Sequence, residues 1–246
     1  MISEANEILE LFQQEKFDSA LICCSELLEK FMNVFMEDLT VNSATDLVGT
    51  AILYARICGA MKKPWKAFPE LEKARGALRF LKDFMKDSEI LSDAFRSFGE
   101  AYAYGGYLPE AVSCFADAAR FSDSSEKTKE ALSSAFFYQE RFGKKLLKDV
   151  SFAKEKLDEN TLKILIKSAK DEARDQILTD PVESSDSYLT VRFETEKLTD
   201  ELLEKTKSQN TPFCVSYWNT KKRILKDKFG IDWKSPADMN PEIRFY

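Results

Sequence analysis

One stretch constrains the fold of this chain more than any other: FRSFGEAYAYGGYLPEAVSCFADAARF, residues 95–121. Its apolar residues recur three, four and seven positions apart on both sides of a Gly-Gly pair, which places them on one face of each of two helices. Gly105 and Gly106 suit the end of the first helix, because glycine adopts the left-handed conformation without a steric penalty. Pro109 suits the first turn of the second helix, where a missing N–H does no harm. The stretch therefore predicts a helical hairpin.

The residues inside this hairpin follow the order of a known repeat. They resemble the tetratricopeptide (TPR) pattern, W-x-x-L-G-x-x-Y followed by A-x-x-x-F, at Phe95, Phe98, Gly99, Tyr102, Ala111 and Phe115. Two phenylalanines replace the Trp and Leu of the pattern, and the other four positions match. The small residues Gly99 and Ala111 would let the two helices approach closely. The alternative is an ordinary helical hairpin in which these residues coincide by chance.

Weaker copies of the pattern lie at residues 4–31, 51–77 and 130–156. Their anchor residues are Ala20, Ala67 and Leu146, and with Ala111 they are spaced 47, 44 and 35 residues apart along the chain. Only the last spacing is near the ~34 residues of the family, so the first two units require longer helices or linkers, around 31–45 and 75–90. A further helix at 158–178, opened by an Asp158 cap, would close the array. We therefore expect a mainly α fold, with a TPR-like α-solenoid of helical hairpins over residues 1–178.

The rest of the chain has a different pattern. A polar linker is predicted at 179–187, because the segment carries a proline and breaks the helical period. Apolar and polar residues then alternate at 188–194, which predicts a strand, and a short amphipathic helix is predicted at 198–209. Thr211-Pro212 predicts the start of a helix that ends at Gly230, although residues 213–218 could instead form a strand. A last strand is predicted at 242–246.

These segments predict a small C-terminal α+β appendage over residues 188–246. We expect it to dock on the repeat array, because residues 211–246 contain seven aromatic side chains. A segment this short cannot bury so much apolar surface by itself.

Composition narrows the function. The chain is acidic, with a net charge of −6, which argues against general nucleic-acid binding. It contains no histidine, which excludes Ser-His-Asp and Cys-His catalysis and imidazole metal sites. The five cysteines are odd in number and lack CxxC spacing, so we interpret them as reduced core residues. The first residues, MISEANEILELFQQ, do not predict a signal peptide, and no run of ~18 apolar residues predicts a membrane span. We expect a cytoplasmic protein without membrane contact, cofactor, metal or enzymatic activity.

The predicted function is that of a scaffold that binds a protein or peptide partner in the concave groove formed by the first helix of each hairpin. The candidate partner-binding residues on these helices are Asn6, Arg96, Glu100, Tyr104 and Tyr138. Two alternatives remain at this point. The groove face could pack on the C-terminal segment of the chain, or an enzyme based on carboxylate, Lys or Tyr groups could have its site between array and tail.

A third alternative comes from a basic run near the C-terminus. Lys221, Lys222 and Arg223 lie close to Trp218 in the sequence, and basic residues interleaved with aromatic rings can bind single-stranded nucleic acid. The run spans only two helical turns and lacks a recognised RNA motif. We therefore favour a solvated or docking face, with a nucleic-acid-binding adaptor as the alternative.

Overall fold

The computed structural model describes residues 2–85, 88–147, 150–174, 176–206 and 213–245, and these residues form helices and no strand. The chain divides into two compact units, Met1–Ala173 and Arg174–Tyr246. Each unit contains its own cluster of buried hydrophobic residues. The prediction of a mainly α protein is confirmed.

The first unit is built from consecutive helical hairpins whose neighbouring helices pack on each other. The three complete hairpins are α1 (Ile2–Gln13) with α2 (Phe17–Glu37), α3 (Val41–Ala60) with α4 (Ala67–Phe84), and α5 (Ser88–Tyr104) with α6 (Leu108–Phe121). They are followed by α7 (Ser125–Phe142), α8 (Ser151–Lys156) and α9 (Glu159–Arg174). This repeat-like arrangement is compatible with a helical solenoid.

The hairpin predicted at 95–121 is confirmed. α5 ends at Tyr104, Gly106 has the left-handed φ of 77°, and Pro109 lies in the first turn of α6. A Cβ atom on Gly99 would lie 3.0 Å from ring atoms of Phe115, so the backbone of α5 approaches α6 as closely as a glycine allows.

Successive hairpins contact each other, and the second and third do so through both of their helices. The first helices α3 and α5 pack together. Among the second helices, Phe35 of α2 lies 5.7 Å from Phe80 of α4 between ring centroids, and the Lys82 ammonium of α4 lies 3.8 Å from the Asp117 carboxylate of α6. The buried residues form one core cluster from Ile8 to Ala169. A continuous core of this kind is what stacked repeats produce.

The long spacing between the first repeats is taken up by longer helices. α2 has 21 residues and α4 has 18, whereas α6 has 14. The sequence left open whether longer helices or longer linkers fill residues 31–45 and 75–90. Longer helices account for most of the residues that exceed the usual repeat length.

The fourth hairpin, predicted at 130–156, is only half formed. α7 is present, but Leu146, the predicted anchor of its second helix, lies in a loop. Gly143 ends α7 with a left-handed φ of 73°, and the Gln139 Oε1 atom then accepts hydrogen bonds from the Leu146 and Leu147 N–H groups at 3.0 and 2.8 Å. A side chain therefore satisfies these loop donors, and the next described helix is α8, which has six residues.

The helix predicted at 158–178 is confirmed at its start. The Asp158 carboxylate accepts a hydrogen bond from the Thr161 N–H at 2.9 Å, as an N-cap does. The helix ends at Arg174, four residues before the predicted end.

The predicted strand at 188–194 is wrong, because these residues lie in α10 (Asp186–Thr206). No strand forms at 242–245 either. Buried residues of α10 recur three or four positions apart at Tyr188, Arg192, Thr195 and Thr199, as in a helix. Most of the buried residues, including Asp200, are polar or charged. Because these buried residues are polar, the hydrophobic pattern of the sequence did not indicate a helical period. The favoured helix after residue 212 is confirmed as α11 (Phe213–Phe229), whereas its predicted cap, Thr211-Pro212, lies outside the described residues.

The second unit also contains a 3-10 turn at Pro181–Ser184, within the predicted linker, and α12 (Pro236–Met239). Its core consists of Tyr188, Leu225, Ile231 and Trp233. The indole N–H of Trp233 donates a hydrogen bond to the Glu183 carboxylate at 2.6 Å. Tail residues therefore bury apolar surface against α10 and the turn before it. The docking of this appendage on the array stays a prediction.

Candidate functional site

A groove of about 470 Å³ lies on the first unit between α1, α3 and α5, the first helices of the three complete hairpins. Its lining is mainly apolar. Five of the lining residues are alanine or glycine, and larger side chains come from Phe12, Ile52 and Tyr104. Because small side chains fill the floor, an open volume remains between these larger side chains. The volume falls within the range of about 300–1,000 Å³ that is usual for binding sites.

One wall of the groove is an exposed but fixed aromatic ring. Tyr104 is 62% exposed, and its hydroxyl donates a hydrogen bond to the Gly59 carbonyl oxygen at 3.0 Å. The ring lies against the Gly59 backbone so closely that a Cβ atom there would be 3.2 Å from Cε1. Since the ring is already held, a ligand that packs on it loses little side-chain entropy on binding.

The charges of the groove differ between its two sides. On α5, Arg96 lies between two acids: its guanidinium is 3.7 Å from the Asp93 carboxylate and 3.6 Å from the Glu100 carboxylate. On α3, Arg56 lines the groove and is exposed, and none of the described acidic residues forms an ion pair with it. The arginine on the α5 side is therefore already paired with acids, whereas the arginine on the α3 side is available.

The turn after α3 adds to this basic character. It contributes Pro64 to the lining, and it carries Lys62, Lys63 and Lys66. The Lys66 ammonium lies 5.7 Å from the centre of the Trp65 ring. Basic residues therefore lie in the turn that borders this end of the groove.

The structure brings together some of the predicted partner-binding residues. Glu100 and Tyr104 line the groove, and Arg96 is the ion-pair partner of Glu100. Asn6 is exposed on α1 but is not part of the lining. Tyr138 lies on α7, where its ring stacks on Phe115 with 5.7 Å between centroids and 8° between planes.

Sequence reasoning placed the groove on the first helix of each hairpin, but it missed the residues that α1 and α3 contribute to the lining. Phe12, Ile52, Arg56 and Gly59 were not among the candidates, although they form its opposite side. One signal was available for α3: Arg56 is the only charged residue in the segment AILYARICGA at 51–60. A charged residue in such a run indicates a place where the helix faces solvent.

The basic run of the second unit does not form one open surface. Lys221 is only 8% exposed, and its ammonium lies 5.6 Å from the ring centre of Tyr188 and 5.0 Å from that of Trp233. Burial by itself lowers the pKa of Lys221, but the electrostatic influence of Tyr188 and Glu196 outweighs this and raises the pKa above its ordinary value. Lys221 is therefore a charged residue of the interior of this unit.

The neighbours of Lys221 have separate surroundings. The Lys222 ammonium lies 3.0 Å from the Asp238 carboxylate, and the Trp218 ring packs edge-on against Phe245 with 5.0 Å between centroids. Arg223 is exposed. The four residues named for nucleic-acid binding thus divide between an interior site, an ion pair, a ring contact and solvent.

The remaining reactive groups of the described residues include acidic side chains and cysteine thiols. No group of three or more His, Cys, Asp or Glu side chains is placed there to hold a metal ion. All five cysteines are free, and burial raises the pKa of the Cys24, Cys58 and Cys114 thiols to about 12. These thiols are therefore protonated and weakly nucleophilic near neutral pH. No described helix is long and apolar enough to cross a membrane.

Comparisons of the chain with protein-family models, with curated proteins and with solved structures give no match. The functional conclusion therefore rests on the geometry of the groove.

Proposed function

We propose that this chain is a non-enzymatic interaction scaffold of the TPR type that binds a peptide segment of a partner protein. The binding site is the groove between α1, α3 and α5. The observation that carries the proposal is the combination of an apolar floor, a fixed Tyr104 ring and charged residues at the edges of one open groove.

The TPR assignment is supported by contacts at the pattern positions. Gly99 allows the close approach of α5 and α6, and the Phe115 ring fills the space beside it. Tyr102 is completely buried and donates a hydrogen bond from its hydroxyl to the Glu72 carboxylate of α4 at 2.6 Å. These residues therefore connect one hairpin to the next, which is the role of pattern residues in stacked helical repeats.

A peptide is a suitable ligand because of how the groove is built. Three helices from three different hairpins contribute to it, so a segment laid across them can contact several repeats at once. Affinity in such grooves comes mainly from a few bulky side chains that enter an apolar floor, and the surrounding polar groups set the register. The groove supplies both kinds of surface.

The proposal can be tested by selection from a random dodecamer peptide library on the purified full chain. Ala60 is exposed and lines the groove, so Ala60→Trp should fill the groove without disturbing the core. The matched control is Ser113→Trp, which adds the same ring at an exposed position on α6, outside the groove. Selected peptides should bind the wild-type chain and Ser113→Trp alike, and should bind Ala60→Trp at least about tenfold more weakly, a loss of about 1.4 kcal/mol.

Binding is measured by fluorescence anisotropy of the labelled peptides. The proposal is wrong if the library yields no binder, or if the binders do not distinguish Ala60→Trp from Ser113→Trp.

A further inference from the structure

We infer that the groove recognises an acidic–apolar peptide, in which a bulky apolar residue lies next to an Asp or Glu side chain that pairs with Arg56. This inference rests on the proposed function and adds the chemistry of the partner to it.

The apolar part of the ligand follows from the shape of the floor. Ala55 and Ala67 are buried beneath the groove, and Ala60 and Ala101 add little volume at its sides. The open space of about 470 Å³ is bounded by Phe12, Ile52 and the fixed Tyr104 ring. A floor of small residues between large apolar walls is filled best by one or two large apolar side chains, because these bury the most surface in contact with such walls.

The acidic part follows from the difference between the two arginines. Arg96 already has two carboxylates within 4 Å, at 3.6 and 3.7 Å, so a ligand acid would have to displace internal ion pairs there. Arg56 has no such partner among the described residues, and it lies beside the apolar floor. A guanidinium next to apolar surface forms a strong, bidentate contact with a carboxylate.

A basic ligand residue fits the groove less well. The acid in the lining is Glu100, which is already engaged with Arg96. At the other end, Lys62 and Lys66 in the turn after α3 would repel a second cation and attract an acid. The chain as a whole carries a charge of −6, so an acidic peptide is not attracted to it at long range. The attraction between these lysines and a ligand acid acts only within a screening length of roughly 8 Å at physiological salt.

The test uses fluorescein-labelled peptides from the selection described above. Sequences bound by the wild-type chain should be enriched in an Asp or Glu next to a bulky apolar residue. Arg56→Glu should weaken the binding of these peptides by at least about tenfold, because it replaces a charge-assisted contact by repulsion. The matched control is Arg79→Glu, the same charge change at an exposed position of α4 outside the groove, which should change the affinity less than about threefold.

The ligand side of the pair is tested with the same peptides after Asp→Asn or Glu→Gln substitution. These amide peptides should bind the wild-type chain at least about tenfold more weakly, and Arg56→Met should not weaken them further. Selection with Arg56→Glu itself should enrich Lys or Arg in place of the acid. Arg56 is exposed, so both variants should melt at the wild-type temperature.

The outcomes separate the two proposals. If peptides bind in a manner blocked by Ala60→Trp, but carry no acid or bind Arg56→Glu as tightly as Arg79→Glu, the acidic recognition is refuted and the groove function stands. If binding is insensitive to Ala60→Trp, the groove function fails first, and the inference fails with it.

Discussion

The contact between Gly99 and Phe115 offers the sharpest test of the repeat packing. A Cβ atom at Gly99 would lie 3.0, 3.0 and 3.1 Å from three ring atoms of Phe115. The ring is 3% exposed, and its neighbour is the stacked ring of Tyr138. A shift of the Phe115 ring would therefore also disturb its stacked contact with Tyr138.

This geometry determines the expected magnitudes. Alanine in place of glycine within a helix stabilises it by about 0.5–1 kcal/mol when the space is open. At Gly99 the same methyl group meets the Phe115 ring, and the overpacking should cancel this gain. Gly99→Leu inserts three more carbon atoms than Gly99→Ala and should lower the free energy of unfolding by about 2–3 kcal/mol. For a unit of this size that corresponds to a fall in Tm of about 4–12 °C.

The matched control is Gly76→Ala. Gly76 lies within α4 and is exposed, and a Cβ atom there would meet no atom within 4 Å. It should therefore raise the stability by about 0.5–1 kcal/mol. The assay is thermal and urea unfolding of the full chain, followed by far-UV circular dichroism. If Gly99→Ala stabilises as much as Gly76→Ala, or if Gly99→Leu melts like the wild type, then the close packing of α5 on α6 is wrong.

The other predictions concern the second unit, the thiols and acid stability. Lys221→Ala should destabilise the second unit by about 2–4 kcal/mol, since it removes a desolvated cation–ring contact and leaves a cavity. The control Lys222→Ala should cost less than about 1 kcal/mol. Tryptophan fluorescence during urea unfolding would measure both losses of stability, and equal losses would contradict the interior role of Lys221. Under native conditions a thiol reagent should modify the buried Cys24, Cys58 and Cys114 far more slowly than the two partly exposed cysteines. All five should react at similar rates only in denaturant. Hydrogen bonds from Lys127 and from the Asp123 N–H lower the pKa of Glu89, so its contribution to stability is present above its unfolded pKa of about 4.3 and is lost as the pH falls through the lower folded value. The gap in stability between the wild type and Glu89→Gln should therefore narrow between pH 6 and pH 3 in urea titrations, and a constant gap would argue against this ionisation.

The sequence by itself determined the structures that depend on local physics. The hairpin at 95–121 was predictable because the spacing of its apolar residues, the Gly-Gly pair and Pro109 all act within a few residues. The cap of α9 at Asp158 was predictable for the same reason, since it needs only the N–H groups of the following turn.

Two errors show where local reasoning fails. The buried face of α10 carries Arg192, Thr195 and Thr199, so burial there does not follow hydrophobicity. The alternation of apolar and polar residues at 188–194 therefore predicted a strand where a helix forms. Leu146 was predicted to lie in a helix, but the Gln139 side chain holds its N–H group in a loop. In both cases polar interactions outweighed the apolar pattern.

The groove was decided by the tertiary structure alone. Phe12, Ile52 and Tyr104 are separated by 40 residues or more in the chain. The local pattern around each residue predicts only that it lies on one face of a helix. They border one site only because α1, α3 and α5 are brought side by side by the packing of their hairpins. The same packing leaves Arg56 without an acid while Arg96 has two. Contacts of this kind depend on the stacking of whole repeats, and no local sequence pattern encodes them.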